Sequence, residues 1–211
     1  MMRRIEHQDE AITGEEKARE YSEIHKKYAK FSYGPFLKDM KKLDITGSCL
    51  EIGAGPAIMT CMFAQYNPEV HITAVDLSPD MIAVGKENIA SKGLSNRIDY
   101  FLCDVTDRSA MENLGAFDCV YSIGAMHHWS DLQGSIVNLL VAAKNGGMLY
   151  IGDMKRVWWL YYLPSNNGDI QSVRAAYRPR EIRGILRKLG IESYSIRTLF
   201  PFFIQSVIVR K

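Results

Sequence analysis

The stretch Cys49-Leu50-Glu51-Ile52-Gly53-Ala54-Gly55-Pro56-Ala57 constrains this chain more than any other. Its first four residues read as a β-prone run, which the glycines at 53 and 55 interrupt. Pro56 then opens a helical pattern, and proline suits the first helical position because its missing N–H has no partner there in any case. Glycines at a strand-to-helix junction let backbone approach a ligand with no Cβ in the way. The N–H groups and the positive end of the helix then face whatever lies over the turn. The feature predicts an α/β fold with a nucleotide-like ligand held by backbone.

With 211 residues the chain is long enough for one α/β domain with a buried core, and short for two. Hydrophobic residues make up 47% and charged residues 24%, ordinary for a globular protein. A net charge of +2 gives no argument for a nucleic-acid partner. Cys49, Cys61, Cys103 and Cys119 lack CxxC spacing and read as buried free thiols. No run reaches ~18 apolar residues, and the N-terminal Arg3, Arg4, Glu6, Asp9 and Glu10 do not form a signal peptide's apolar core. A cytoplasmic setting without a membrane partner is expected.

The first part, to about Leu43, is helical in pattern, with Tyr21, Ile24, Tyr28 and Phe31 forming an apolar stripe. Strands and helices then alternate. Strands are predicted at Ser48 to Ile52, Val70 to Val75, Arg97 to Cys103, Phe117 to Ile123 and Met148 to Gly152. Helices are predicted from Pro56 to about Gln65, from an N-cap at Ser78 to near Gly93, and over Asp131 to Lys144. Gly146 and Gly147 are read as the stop of the last of these. Such alternation implies a parallel sheet with helices on both faces. Residues 155–178, with Trp158, Trp159, Tyr161 and Tyr162, then Asn166, Asn167 and Gly168, read as an insertion. Strands at Ile191 to Leu199 and Phe202 to Arg210 are joined too tightly for a parallel crossover, so they form an antiparallel hairpin.

Ligands of open α/β sheets bind beyond the carboxyl ends of the strands. Glu51, Gly53 and Gly55 mark the end of the first strand, and Asp76 that of the second, about 20 residues further on. A carboxylate there can accept two hydrogen bonds from a ribose diol. Asp104 follows the third strand, where it can accept from an exocyclic amine. Ser122, Ile123 and then His127-His128-Trp129 follow the fourth. Each has a plain structural reading, as turn, helix cap or solvated loop; together they converge on one site.

These motifs resemble those of the class I S-adenosylmethionine-dependent methyltransferases. Leu50 to Pro56, Ala74 to Met81, Phe101 to Val105 and Phe117 to Ser122 with Met126 to Trp129 are similar to the family's four successive motifs, the last as found in small-molecule methyltransferases. The resemblance spans about Ser48 to Gly152. It implies a three-layer Rossmann-like sandwich around a seven-stranded, mostly parallel sheet of order 3-2-1-4-5-7-6, its last strand antiparallel. It implies S-adenosylmethionine as cofactor. Glu51 with the Gly53, Ala54 and Gly55 backbone would hold the methionine end, and Asp76 the ribose. Leu77 and Met81 would pack on the adenine, Asp104 and Val105 would address its edge, and Ser122 and Ile123 would line the methyl-donor pocket. Ala57 stands where many relatives have glycine, a place expected to ask only for close packing. On this view 1–43 is a helical cap, 44–211 the methyltransferase domain, and 155–178 a lid-like insertion.

The expected reaction is in-line methyl transfer to a small-molecule acceptor. His128, and second His127, are the candidate general bases, since imidazole titrates near neutrality. Trp158, Trp159, Tyr162 and Tyr28 are the candidate substrate contacts, because aromatics stack on flat or cationic ligands. No metal is expected. Arg178, Arg180, Arg183, Arg187 and Lys188 read as a solvated helix face, and no nucleic-acid module accompanies them. An NAD-dependent oxidoreductase is the rival enzyme reading, but Ile58 occupies the third glycine position of its fingerprint. A non-catalytic cofactor-binding protein is the rival from another class.

Overall fold

The computed structural model describes residues 2–6, 12–165 and 167–211. Asp9, Glu10 and Asn166, noted above, lie outside these. In chain order the elements are α1 (Glu15–Ser32), α2 (Gly34–Met40), β1 (Gly47–Ile52), α3 (Ile58–Tyr66), β2 (Val70–Asp76), α4 (Pro79–Ser91), β3 (Ile98–Leu102), α5 (Arg108–Asn113) and β4 (Phe117–Ile123). They continue with α6 (Leu132–Ala142), β5 (Ala143–Met154), α7 (Trp158–Tyr161), α8 (Gly168–Ala175), α9 (Pro179–Lys188), β6 (Tyr194–Leu199) and β7 (Ile204–Arg210). The seven strands lie in the order β3-β2-β1-β4-β5-β7-β6. All neighbours pair in parallel except β5 with β7 and β7 with β6. The expected three-layer sandwich is therefore present.

Strands buried on both faces read as continuous apolar runs, and the two cores explain why. One face packs Phe36, Met40, Met59, Phe63, Ile82 and Ile89 from α2, α3 and α4. The other packs Met111, Leu132, Ile136, Leu139, Ile182 and Leu186 from α5, α6 and α9. Fully burying one such side chain stabilises the fold by about 1.5–3 kcal/mol relative to leaving it exposed. Asp39 of α2 is buried against the sheet, where Tyr150, Ser206 and Arg197 donate to its carboxylate. That network ties the N-terminal helices to β5, β6 and β7.

Several predicted boundaries shift. The helix after the glycine turn begins at Ile58, not Pro56. α6 runs directly into β5, so Gly146 and Gly147 lie inside a strand. A Cβ at Gly147 would come within 3.0–3.2 Å of three carbonyl oxygens, which explains the residue there and the register shift against β4. α5 was not foreseen. β6 and β7 start later than predicted, at Tyr194 and Ile204.

α1 buries a different face from the expected one. Ile24, Tyr28 and Phe31 are all more than half exposed, and the buried residues are Ala18 and Ser22. Ala18 packs on Met81 and Val84 of α4. The Ser22 hydroxyl accepts from Asn88, 3.1 Å away. Small residues let the helices approach closely, and that contact outweighs the aromatic stripe.

The 155–178 segment divides in two. Trp158, Trp159 and Tyr162 are exposed, whereas Ile170, Val173, Ala175 and Tyr177 are buried. Arg156 is buried too, bonded to the Ala176 carbonyl and paired with Glu181. The exposed aromatics lie at α7, with buried residues on both sides of it. Arg180, Arg183, Arg187 and Lys188 are exposed along α9, as a solvated face requires. Cys49, Cys61 and Cys119 are buried free thiols, and Cys103 is half-buried. Among the described residues, no helix is long and apolar enough to cross a membrane.

Candidate functional site

The turn after β1 is held from beneath. The Gly53 and Ala54 N–H groups both donate to the Val75 carbonyl at 2.9 and 3.1 Å. The Gly55 N–H donates to Asp76 Oδ2 at 2.8 Å. These three donors therefore fasten the turn to β2, where a cradle for a ligand was expected. A Cβ at Gly53 would lie 2.7 Å from that of Ala125, so this glycine makes room for the loop after β4. Gly55 has φ +55° and open space where a Cβ would stand, so it is required by conformation. Ala57 has φ 55° as well. The position was expected to ask only for close packing; it asks also for a left-handed backbone.

Glu51 points into the fold from β1, and the hydroxyl of Tyr121, its register partner on β4, donates to it at 2.8 Å. Burial pushes its carboxyl up to about 7, Tyr121 and the nearby Thr60 hydroxyl oppose the shift, and Asp76 adds to it. Asp76 ends β2 and its carboxylate accepts from both sides, Oδ2 from Gly55 and Oδ1 from the Ser78 N–H at 2.9 Å. Burial also raises its affinity for a proton, against the backbone donors of Ser78, Gly55 and Leu77. Leu77 beside it is 40% exposed, whereas Met81 is buried against α1. Leu77 is thus open to solvent, and Met81 of α4 packs against Ala18 of α1.

Asp104 Oδ1 accepts from the Thr106 N–H and hydroxyl at 2.8 and 2.7 Å, so one oxygen shapes its own loop. Val105 is buried, and its carbonyl accepts from Asn138 of α6. The Ser122 hydroxyl donates to the Ile52 carbonyl at 2.9 Å. That bond locks the end of β4 to the end of β1, and Ile123 beside it is buried.

The two histidines lie on a 3₁₀ turn, Met126–His128, and have different surroundings. His127 is buried, with Nδ1 2.9 Å from Asp153 Oδ1 and its N–H donating to Oδ2 at 2.7 Å. His128 is half-buried, its ring 4.1 Å from that of His127. Held to Asp153 through both ring and backbone, His127 is a fixed point, and His128 lies beside it.

α1 packs against α2, α3 and α4. Tyr21 and His25, one turn apart, stack with ring centroids 3.9 Å apart. His25 Nδ1 is 2.9 Å from the Tyr33 hydroxyl. Burial pushes the Tyr21 phenol up to about 12, with Asp76 and Asp169 adding to the shift. Tyr33 is raised by burial, then by Tyr21 and Glu51. Tyr28 is exposed, and among the described residues no hydrogen bond or ring contact joins it to Trp158, Trp159 or Tyr162.

Sequence reasoning missed Tyr121, Asp153, His25 and Tyr33. Asp153 lies one residue beyond the predicted end of its strand, and a strand prolonged by two residues would have placed a fourth carboxylate at the sheet edge. Tyr121 faces Glu51 only because β1 and β4 are neighbours. His25 and Tyr33 carry no local signal. Among the described residues no cluster of three or more metal-ligating side chains occurs.

Residues 50–149 match the family of the methyltransferase domain. Ajmaline N-methyltransferase of Rauvolfia serpentina is 24% identical over 67% of this chain and 43% of its own. The ubiquinone biosynthesis O-methyltransferase of Xanthomonas euvesicatoria is 28% identical over 54% of this chain and 46% of its own. The chain thus spans less than half the length of these curated relatives. The crystal structure of an Aquifex aeolicus SAM-dependent methyltransferase has the same fold, with a TM-score of 0.72 at 15% identity over 94% of this chain and 99% of that one. The match covers residues 50–149, and the solved structure shares the fold that carries the strand order β3-β2-β1-β4-β5-β7-β6 here.

Proposed function

We propose that the chain binds S-adenosylmethionine over the carboxyl ends of β1, β2 and β3 and methylates a nitrogen or oxygen of a small molecule. The observation that carries this reading is the pair Glu51 and Asp76, two proton-hungry carboxylates at neighbouring strand ends. A buried carboxylate without a cationic partner favours its neutral form, and the cofactor's ammonium group is such a partner for Glu51. Asp76 accepts from the ribose hydroxyls on the lone pairs that Gly55 and Ser78 leave open. The Gly53–Gly55 turn shapes the methionine end of the site, and Leu77 covers the adenine. Met81 and Val105 support that wall from behind, the second oxygen of Asp104 meets the adenine edge, and the Ser122 and Ile123 backbone borders the methyl-donor pocket.

The bound cofactor supplies an activated methyl group on a sulfonium. The chain's own task is to align the acceptor and exclude water, and positioning of this kind accounts for roughly 7–11 kcal/mol in favourable intramolecular models. His128 takes the acceptor's proton, while His127 holds the turn through Asp153. Residues 1–43 act as a cap, and the exposed Trp158, Trp159 and Tyr162 act as a lid on the acceptor side, with Tyr28 at its margin. The related N- and O-methyltransferases support a small-molecule acceptor.

Calorimetric titration with S-adenosylmethionine, S-adenosylhomocysteine and NAD tests the cofactor, and methyl-donor consumption over a panel of phenols and amines then tests the acceptor. Saturable binding of both sulfur ligands without NAD is expected. Binding of NAD alone would overturn the reading.

A further inference from the structure

Arg4 reaches the turn that carries the two histidines from 123 residues away in sequence. Its Nη2 donates to the His127 carbonyl at 3.1 Å and to the Trp129 carbonyl at 3.0 Å. Its Nε donates to the carbonyl of Ala175, the last residue of α8, at 2.7 Å, and Nη1 pairs with Glu6 at 2.7 Å. The guanidinium lies 4.2 Å from the centroid of the Tyr177 ring. The Tyr177 hydroxyl donates to the same Trp129 carbonyl at 2.8 Å. Beside Arg4, the Ile5 N–H donates to the Arg174 carbonyl at 3.2 Å and fastens the segment to α8.

The two carbonyls on Nη2 belong to the residues on either side of His128. A guanidinium nitrogen of this kind carries two hydrogens, one for each. Backbone donors of the turn are fixed as well. The His128 N–H donates to the Ala125 carbonyl at 3.0 Å, and the Trp129 N–H to the Met126 carbonyl at 3.1 Å. Asp153 fixes His127, Tyr177 fixes Trp129, and Arg4 joins the two. The Arg4 side chain is only 13% exposed. Polar groups taken out of water must be hydrogen-bonded, so letting go of either carbonyl leaves a donor unmatched.

We propose that Arg4 is a positioning residue for His128: it clamps the peptide carbonyls on both sides of that residue and so aims its imidazole at the acceptor. This step rests on the reading of His128 as the base given above. A base works only within hydrogen-bond reach of the proton it takes. A misplacement of about 1 Å lowers a rate by as much as about 100-fold. The rigid fork of arginine suits two carbonyls at once, where lysine offers a point charge.

The test is a double-mutant cycle of Arg4→Met and His128→Ala, read as consumption of S-adenosylmethionine with the panel of phenols and amines. Arg4→Met keeps an apolar stem over Tyr177 and removes the donors. It should lower turnover about 10- to 100-fold, with S-adenosylhomocysteine affinity changed less than about twofold. In the His128→Ala background the same substitution should lower turnover by less than about twofold, because it acts through that residue. Arg4→Lys should recover only part of the loss. Equal losses in both backgrounds, or unchanged turnover in Arg4→Met, would overturn the clamp and leave the base reading intact. Unchanged turnover in His128→Ala would overturn both. Amide hydrogen exchange over residues 126–130 reads the clamp without any acceptor. It should quicken about tenfold or more in Arg4→Met, while exchange in β1 and β2 stays as it was. Unchanged exchange in the turn, or a rise shared by β1 and β2, would overturn the proposal. Where a thermal melt shows that Arg4→Met does not fold, Arg4→Lys is carried through the same measurements. Failure of both to fold would overturn the proposal too, since Arg4 would then hold the whole fold and not the turn.

Discussion

On the floor of the proposed site, Glu51, Asp76 and Ser122 on strand ends and His127 on the 3₁₀ turn after β4 each have a partner within 3 Å. Tyr28, Trp158 and Tyr162, proposed as its rim, stand more than half in solvent. The floor is overdetermined: removing any one group leaves a buried donor or acceptor without its partner. The rim has surface to offer and little to lose. A cofactor common to many reactions suits the first arrangement, and an acceptor that differs from enzyme to enzyme suits the second. If this contrast is right, floor substitutions act on stability and cofactor affinity, and rim substitutions act on turnover.

The largest effect should come from Asp153→Ala. Asp153 is fully buried and accepts from His127 Nδ1, the His127 N–H and the Met154 N–H. Removing one member of such a pair strands the others, at about 3–5 kcal/mol. Urea unfolding measures it; a loss below about 1 kcal/mol would show that the loop after β4 is not held from below.

Second is a pH effect seated on Glu51. Its carboxyl is raised from 4.5 to about 7 in the folded chain. Between those values the folded state holds a proton that the unfolded state releases. Its contribution to the ligand-free protein is therefore full below about pH 4.5 and lost as pH rises through about 7, up to about 3 kcal/mol in all. Glu51→Gln should flatten that slope. Cofactor affinity should run the other way, since the ammonium needs the ionised carboxylate, and should fall up to about tenfold per unit below pH 7. A Glu51→Gln variant with an unchanged affinity profile would break the assignment.

The floor was legible in the sequence, and the reason is geometric. Parallel strands end on one edge of a sheet, so Glu51, Asp76, Asp104 and Ser122 could be assembled from strand ends alone. What was not legible depends on contacts between distant segments. Tyr21, Ile24, Tyr28 and Phe31 share a helical spacing, yet Ala18 and Ser22 choose the buried face by letting α4 approach. His127 and His128 are indistinguishable as neighbours in sequence, and Asp153 on β5 separates them.

Third, His128→Ala should lower turnover at least about tenfold, with cofactor affinity unchanged and stability within about 1 kcal/mol. His127→Ala should instead lower the melting temperature through the loss of its buried bond to Asp153. Reversed results for the two would exchange their roles. Unchanged turnover in His128→Ala would remove it from the chemistry.

The smallest effect should be at Ala57, where opposing contributions nearly cancel. A left-handed backbone costs a non-glycine residue about 1–2 kcal/mol, and Ala57 holds φ 55°. Its methyl is fully buried, which returns about 0.8 kcal/mol. Glycine there would also lose more freedom on folding, about 0.5–1 kcal/mol. Ala57→Gly should therefore leave stability within about 1 kcal/mol. Ala57→Val, β-branched at the same φ, should lose clearly more. A large gain from Ala57→Gly would mean that the floor carries backbone strain its hydrogen bonds hide. A large loss would mean that the methyl packs the turn as tightly as Gly53 packs against Ala125. Either outcome would extend the contrast to the backbone itself, since Ala57 holds a positive φ and the proposed rim residues Tyr28, Trp158 and Tyr162 do not.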